Sequence, residues 1–310
     1  MNFSMEKIQH ELFLIAEKVS PSCIFIIGAP RTGSTILYQA LIHVYKLGYI
    51  ANITNDFFFK YPTIGFALHA ANVTNTQILS KNKYGKTKGI FQPSEGSFVL
   101  KEWFGGEHPS QTRSHEILND VAAEHFTKSI KYANFAFNNP FLIKNPWNCF
   151  RIKAISRLLP NARFIWIRRN MAASAKSDLD SRYINQGDPC KWNSATPQKI
   201  SELQDRPYWE QVVENQFEFN IAIQKDLNSI EKNRFVEVWY EDFCRNPVEI
   251  ITKIGKECHL TETEISVNLL NNFEILRSGE NYQLTRQDIN YVDNYIKCNI
   301  GRFNAFVYEK

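Results

Sequence analysis

Eight consecutive residues, Gly28-Ala29-Pro30-Arg31-Thr32-Gly33-Ser34-Thr35, place two glycines, one cation and three hydroxyls in a single short turn. A turn of this kind binds phosphate when it joins a strand to a helix. Its backbone N–H groups and the helix's unpaired first-turn donors then converge on one spot, where the helix dipole also favours an anion. The flanking residues supply that setting. Cys23 to Ile27 is an apolar run short enough for a buried strand, and Ile36, Leu37, Ala40, Leu41, Val44 and Leu47 recur at helical spacing. The loop of nucleotide triphosphatases reads G-x-x-x-x-G-K-[ST]. Gly28 and Gly33 keep that spacing, but Ser34 stands where the lysine belongs and the cation has moved inside the loop, to Arg31. Without the lysine, the β/γ-phosphates of a triphosphate lack a main counter-charge, which argues against kinase or ATPase chemistry.

A second anion-binding pair lies far downstream. Phe164 to Ile167 reads as a buried strand with Arg168 and Arg169 at its carboxyl end, and Met171 to Ser181 is helix-prone. Successive strand residues face opposite sides, so only one of the two arginines reaches a ligand. Arg169 precedes Ser177 by eight residues, close enough for guanidinium and hydroxyl to meet on one phosphate if the helix returns past the crevice. The planar fork of arginine suits phosphate oxygens, and the hydroxyl adds a donor.

Between these motifs, Phe141-Leu142-Ile143 followed by Lys144-Asn145-Pro146 reads as a strand ending in a helix start that runs to about Leu159, with Asn145 at the N-cap and Pro146 at the first helical position. Lys144 then either faces the crevice or snorkels at the surface. Glu95, in Pro93-Ser94-Glu95, is either a helix N-terminal carboxylate or a general base.

The turn and the Pro160-Asn161-Ala162-Arg163-Phe164-Ile165…Arg169…Ser177 segment together resemble the sulfotransferases that use 3′-phosphoadenosine-5′-phosphosulfate (PAPS), in the variant with arginine in the phosphosulfate loop. The resemblance implies a sulfuryl transfer to a hydroxyl, less readily an amine, of a small-molecule or saccharide acceptor, leaving 3′,5′-ADP. It implies that Pro30, Arg31, Thr32, Gly33, Ser34 and Thr35 hold the phosphosulfate, that Arg169 and Ser177 hold the 3′-phosphate, and that Glu95 is the base, with Arg31 and Lys144 as catalytic partners. His108 and His115 are rival bases. Tyr240, in Tyr240-Glu241-Asp242-Phe243, is either a nucleotide contact or a core residue. Gly301-Arg302-Phe303 resembles a segment that covers the cofactor, with Arg302 as a second cation; otherwise Arg302 is a solvent-facing tail residue. The chain departs from the family where Asn170-Met171 replaces Asp-Pro, so the helix entry loses a rigid proline. No metal is expected. A P-loop kinase and a non-catalytic nucleotide-binding relic of the same fold remain the alternatives.

The elements that must position these groups point to a single α/β domain spanning 1–310, with a central parallel sheet flanked by helices in a P-loop-like topology. Gly48 to Ile53 reads as a second strand and Phe235 to Tyr240 as a late one, with a helix over Trp209 to Leu227 between them. Residues 1–20 read as an amphipathic helix and 182–206 as a lid loop. The 44% hydrophobic and 22% charged composition suits a globular core. A net charge of +4 without Lys/Arg runs fits a small anion better than nucleic acid. The six cysteines show no zinc-like spacing or disulfide framework, which fits a reducing compartment. No apolar run approaches the ~20 residues of a membrane span. The expected location is the cytoplasm.

Overall fold

Five short strands pair in parallel, and their register brings every chemically interesting loop to one rim. The computed structural model describes residues 4–72, 88–105, 119–260, 270 and 283–308. The strands are β1 (Cys23–Ile27), β2 (Gly48–Tyr49), β3 (Phe141–Lys144), β4 (Arg163–Arg168) and β5 (Phe235–Trp239), in the order β2-β3-β1-β4-β5. Ile26 pairs with Lys144, Ile27 with Trp166 and Arg168 with Trp239. The turn after β1, Lys144, Arg169 and Tyr240 therefore all emerge at the carboxyl edge. The chain leaves β1 toward β2, returns as β3, and then crosses to β4 on the other side of β1. That reversal places a ligand crevice above β1.

Helices cover both faces: α1 (Met5–Ile15), α2 (Ser34–Tyr45), α3 (Asn52–Phe57), α4 (Pro62–Ala70), α5 (Ser97–Phe104), α6 (Asp120–Phe137), α7 (Ile152–Leu158), α8 (Met171–Gln186), α9 (Ile200–Leu203), α10 (Tyr208–Leu227), α11 (Tyr240–Arg245) and α12 (Pro247–Glu257). Two further helices, Arg286–Cys298 and Ile300–Phe303, lie near the end of the chain. Strands covered on both faces read as continuous apolar runs, and β1 is buried at all five positions. Phe25 and Ile27 pack on one side with Phe141, Phe164 and Phe219; Ile24 and Ile26 pack on the other with Leu37, Leu41 and Ile251. This is the single α/β domain with a parallel sheet that the sequence predicts.

Several expected boundaries move. The second strand stops at Tyr49, because the backbone beyond it is taken by the 89–94 segment: Ser94 N donates to Ile50 O (2.8 Å), Asn52 N to Gln92 O (3.0 Å) and Ile53 N to Ile90 O (2.6 Å). The late strand ends at Trp239, and Tyr240 opens α11. The helix expected from Pro146 to Leu159 is split into a 3-10 turn, Pro146–Phe150, and α7. Arg151 stands at the break, buried, with its guanidinium 4.5 Å from the Phe104 ring centroid. The N-terminal helix covers Met5–Ile15, begun by the Ser4 cap. The expected lid 182–206 begins as the last residues of α8, which Gly187 ends at φ 65°, and contains α9; its irregular part is 187–199. All six cysteines are free thiols. No described helix is long and apolar enough to cross a membrane.

Candidate active site

The turn after β1 is built for close approach. Gly33 has φ 81° and Arg31 φ 68°, so two left-handed residues fold the loop back over the start of α2. At Gly28 an added Cβ would stand 2.5 Å from the Ile167 carbonyl oxygen, and at Gly33 it would stand 2.2 Å from the Tyr240 ring. The loop therefore lies against β4 on one side and the β5–α11 junction on the other. The Thr32 hydroxyl donates to Ala29 O (2.8 Å) and is buried; what Thr32 offers the crevice is its backbone. Cys149 supports the loop from below, its sulfur 3.3 Å from both Gly28 N and Gly28 O, and burial pushes its thiol pKa up to about 12. Pro30 is buried, whereas Ser34 and Thr35 are half-buried in the first turn of α2. No side chain caps that helix, since Gly33 is its N-cap, so its first-turn donors remain for an anion.

Arg169 meets the same turn from β4. Its Nη1 donates to Arg31 O (2.9 Å), its guanidinium carbon stands 4.8 Å from the Tyr240 ring centroid, and its buried Nε has no hydrogen-bond partner in the structure. Arg168 turns the other way, to Glu237 and the Ala305 carbonyl, with Trp166 and Trp239 rings 4.7 and 4.3 Å from its guanidinium. Alternation along the strand thus commits Arg168 to structure and leaves Arg169 at the crevice. Ser177 is half-buried on α8, on the stripe shared with Asn170 and Ala173 at i−7 and i−4. Asn170 caps α8 by accepting from Ala173 N (3.2 Å), so the helix starts at Met171 without the family's proline.

Lys144 joins the anion turn to the neighbouring pocket. Its ammonium donates to Thr35 Oγ1 (3.2 Å) and forms an ion pair with the Glu95 carboxylate. The lysine side chain is 8% exposed and that of Glu95 36%, so the cation is buried and the carboxylate opens outward. Asn145 Nδ2 donates to Glu95 O (3.0 Å), fixing the backbone that carries it. Glu95 stands at a cavity of about 620 Å³ whose other walls are Pro146, Trp147, the 192–196 stretch, Ile200 and Gln204. His108 and His115 lie outside the described residues.

The sequence did not single out the residues of that cavity wall. Trp192, Asn193, Ser194 and Thr196 belong to a polar loop without periodicity, and their placement comes from buried partners on α8 and α10. The Ser194 hydroxyl bonds Asp178, Asn193 Nδ2 donates to Ser181 Oγ (3.0 Å), and Asn215 Nδ2 donates to Ala195 O (3.2 Å). Arg182, fully buried, donates to Pro189 O (3.0 Å) and Gln211 Oε1 (2.6 Å) and stacks 4.4 Å from the Trp192 centroid.

Two residues expected at the cofactor, Tyr240 and Arg302, are tied to other side chains. Tyr240 is 3% exposed, wedged between Gly33 and Arg169, and burial raises its phenol pKa. Arg302, whose side chain is 47% exposed, forms a bidentate pair with the buried Glu214 of α10, at 2.8 and 3.0 Å. Tyr295 joins them through Glu214 Oε1 (2.7 Å), and its phenol is pushed up to about 12. Nothing described lies within 4 Å of a Cβ added at Gly301.

Residues 21–264 match the model of a family described as the sulfotransferase family. No curated protein sequence matches the chain. Among solved structures, sulfotransferase STF9 from Mycobacterium avium aligns with a TM-score of 0.64 at 12% identity, covering 98% of this chain and 82% of that one. Sulfotransferase STF1 from Mycobacterium tuberculosis H37Rv aligns with a TM-score of 0.51 at 12% identity over 94% and 81%. A sulfotransferase from Alicyclobacillus acidocaldarius gives a TM-score of 0.51 at 11% identity over 94% and 98%.

Proposed function

The chain belongs to the sulfotransferase family, and on that premise we propose that it moves a sulfuryl group from PAPS to the hydroxyl of an acceptor. The observation that carries the reading is the Lys144 ammonium, which touches Thr35 in the anion turn on one side and Glu95 at the cavity on the other. One continuous line of polar groups thus runs from a phosphate-binding turn to a carboxylate that an acceptor can reach.

The residues fit the donor. An uncapped helix start and a buried Arg169 Nε without a partner are both anion-binding capacity left open by the fold. The turn's amides with Ser34 and Thr35 would hold the 5′-phosphosulfate, and Arg169 with Ser177 the 3′-phosphate. When bound, PAPS supplies an activated sulfuryl group on a phosphate leaving group. Arg31 would supply positive charge to the leaving phosphate, the kind of preorganised stabilisation that dominates many rate enhancements. Glu95 takes the proton of the acceptor hydroxyl. Lys144 holds that carboxylate in place at the cavity mouth. Tyr240 acts behind these groups, by shaping the turn. With Arg31 inside the loop as counter-charge, no metal is required. The free thiols suit a reducing compartment, and the proposal places the protein in the cytoplasm.

Calorimetric titration and a labelled-donor assay test the reading together. We expect 3′,5′-ADP to bind more tightly than 5′-ADP, and transfer from PAPS to persist in excess chelator. Equal affinity for the two nucleotides, or strict Mg²⁺ dependence with ATP as the preferred ligand, would overturn it.

A further inference from the structure

The cavity beside Glu95 says what kind of acceptor it takes. Its volume of about 620 Å³ lies within the ~300–1,000 Å³ of small-molecule sites. Two of its lining residues carry a buried donor without a hydrogen-bond partner, the hydroxyl of Thr196, a residue only 6% exposed, and the indole N–H of Trp147. Buried donors of this kind are completed by a ligand's oxygen atoms. The other polar lining groups include the amides of Asn193 and Gln204, and the single charged one is Glu95. An anionic acceptor would meet no cationic wall there. A flat phenol or a long-chain alcohol, with one hydroxyl committed to Glu95, would leave the Thr196 hydroxyl and the Trp147 N–H without a partner.

A sugar ring answers each feature. Its hydroxyls donate and accept, matching amides and hydroxyls, and its C–H face lies against an indole. Trp192 is prepared for that contact, because the buried Arg182 stacks on it and holds the ring as a platform. We propose that the acceptor is a neutral saccharide, seated between Trp147, Trp192 and Thr196 with one hydroxyl at Glu95. The proposal rests on the sulfuryl-transfer reading above. Glu95 accepts the hydroxyl proton, the sugar oxygen forms the new S–O bond, and the S–O bond to the 5′-phosphate breaks with its electron pair remaining on the phosphate oxygen. The products are a saccharide sulfate ester and 3′,5′-ADP.

The experiment offers labelled PAPS with three acceptor sets, neutral oligosaccharides, phenols and long-chain alcohols, to the wild type, Thr196→Val and Trp147→Phe. Affinity for 3′,5′-ADP is measured on each protein by calorimetry. Sulfated saccharide is the expected product. Each variant should raise the saccharide KM by about tenfold, the scale of one hydrogen bond, with kcat and 3′,5′-ADP affinity unchanged. Preferential sulfation of phenols or alcohols, or a saccharide KM unmoved in both variants, overturns the acceptor assignment while the donor reading stands. Failure of the wild type to bind 3′,5′-ADP, together with no product from any set, overturns the donor reading and this one with it. Thr196→Val keeps side-chain shape, and Trp147→Phe tests the same wall should the first variant fold poorly.

Discussion

Replacing Gly33 by alanine would put a methyl group 2.2 Å from Cδ2 and 2.3 Å from Cε2 of Tyr240, more than ~1 Å inside the ~3.5–4.0 Å of ordinary carbon contact. The ring has little room to withdraw, being 3% exposed with the Arg169 guanidinium 4.8 Å from its centroid. Gly33 also sits at φ 81°, where a residue with a Cβ is disfavoured by roughly 1–2 kcal/mol. Forcing extra volume into a packed site costs about 1–3 kcal/mol more. Gly33→Ala should therefore lose roughly 2–5 kcal/mol of stability in urea unfolding. In a Tyr240→Ala background the overlap disappears and only the backbone cost of about 1–2 kcal/mol remains. The double-mutant cycle should then show a coupling of roughly 1–3 kcal/mol. An equal cost of Gly33→Ala in both backgrounds would refute the claim that the Tyr240 ring dictates the glycine.

Arg169→Ala should weaken 3′,5′-ADP binding by roughly 1.5–3 kcal/mol, the scale of a charged hydrogen bond, and leave 5′-ADP affinity much less affected. An equal loss for both ligands in the same titration would mean that Arg169 acts only by holding the Arg31 carbonyl. Glu95→Gln should cut turnover at least ~100-fold with 3′,5′-ADP affinity near wild type; lost nucleotide binding would reassign Glu95 to structure. His69, packed against Tyr49 and Phe137, is held neutral by burial, its pKa lowered from 6.5 to about 4. As pH falls, the unfolded chain binds this proton first, so the stability from the neutral ring is intact above 6.5 and is lost progressively down to about 4, amounting to roughly 3 kcal/mol. Urea midpoints between pH 7 and 4.5 should show that slope and His69→Leu should flatten it; the half-buried His125, also shifted down by desolvation, leaves a residual slope. A variant with the wild-type slope would refute the assignment.

Those parts of the fold that depend on local pattern are legible in the sequence. β1 and β4 stand out as buried apolar runs closed by Gly28 and by Arg168-Arg169, and β5 by its alternation through Glu237, closed by the acidic pair after Tyr240. The turn is legible because its glycines are spaced by backbone need. The start of β2 is legible too, but its end is not, since the continuation pairs with a segment some forty residues away. Nor is the break at Arg151, which no propensity marks. The role of Arg302 depends on Glu214, whose carboxylate α10 brings to it from far along the chain. The cavity wall was hidden for the same reason: Asp178, Arg182 and Asn215 shape the 187–199 loop from elements that periodicity reads as ordinary helices.

Trp192, Asn193 and Ser194 each line the cavity while being tied to α8, through Arg182, Ser181 and Asp178. A mutation that altered selectivity at any of the three would also loosen the scaffold beneath it. Descendants of this chain that switch to a new acceptor should therefore carry matched changes, one on the loop and one on α8 or α10. Single-site drift in recognition would be rare in this lineage, and laboratory evolution toward another acceptor should advance in coordinated pairs.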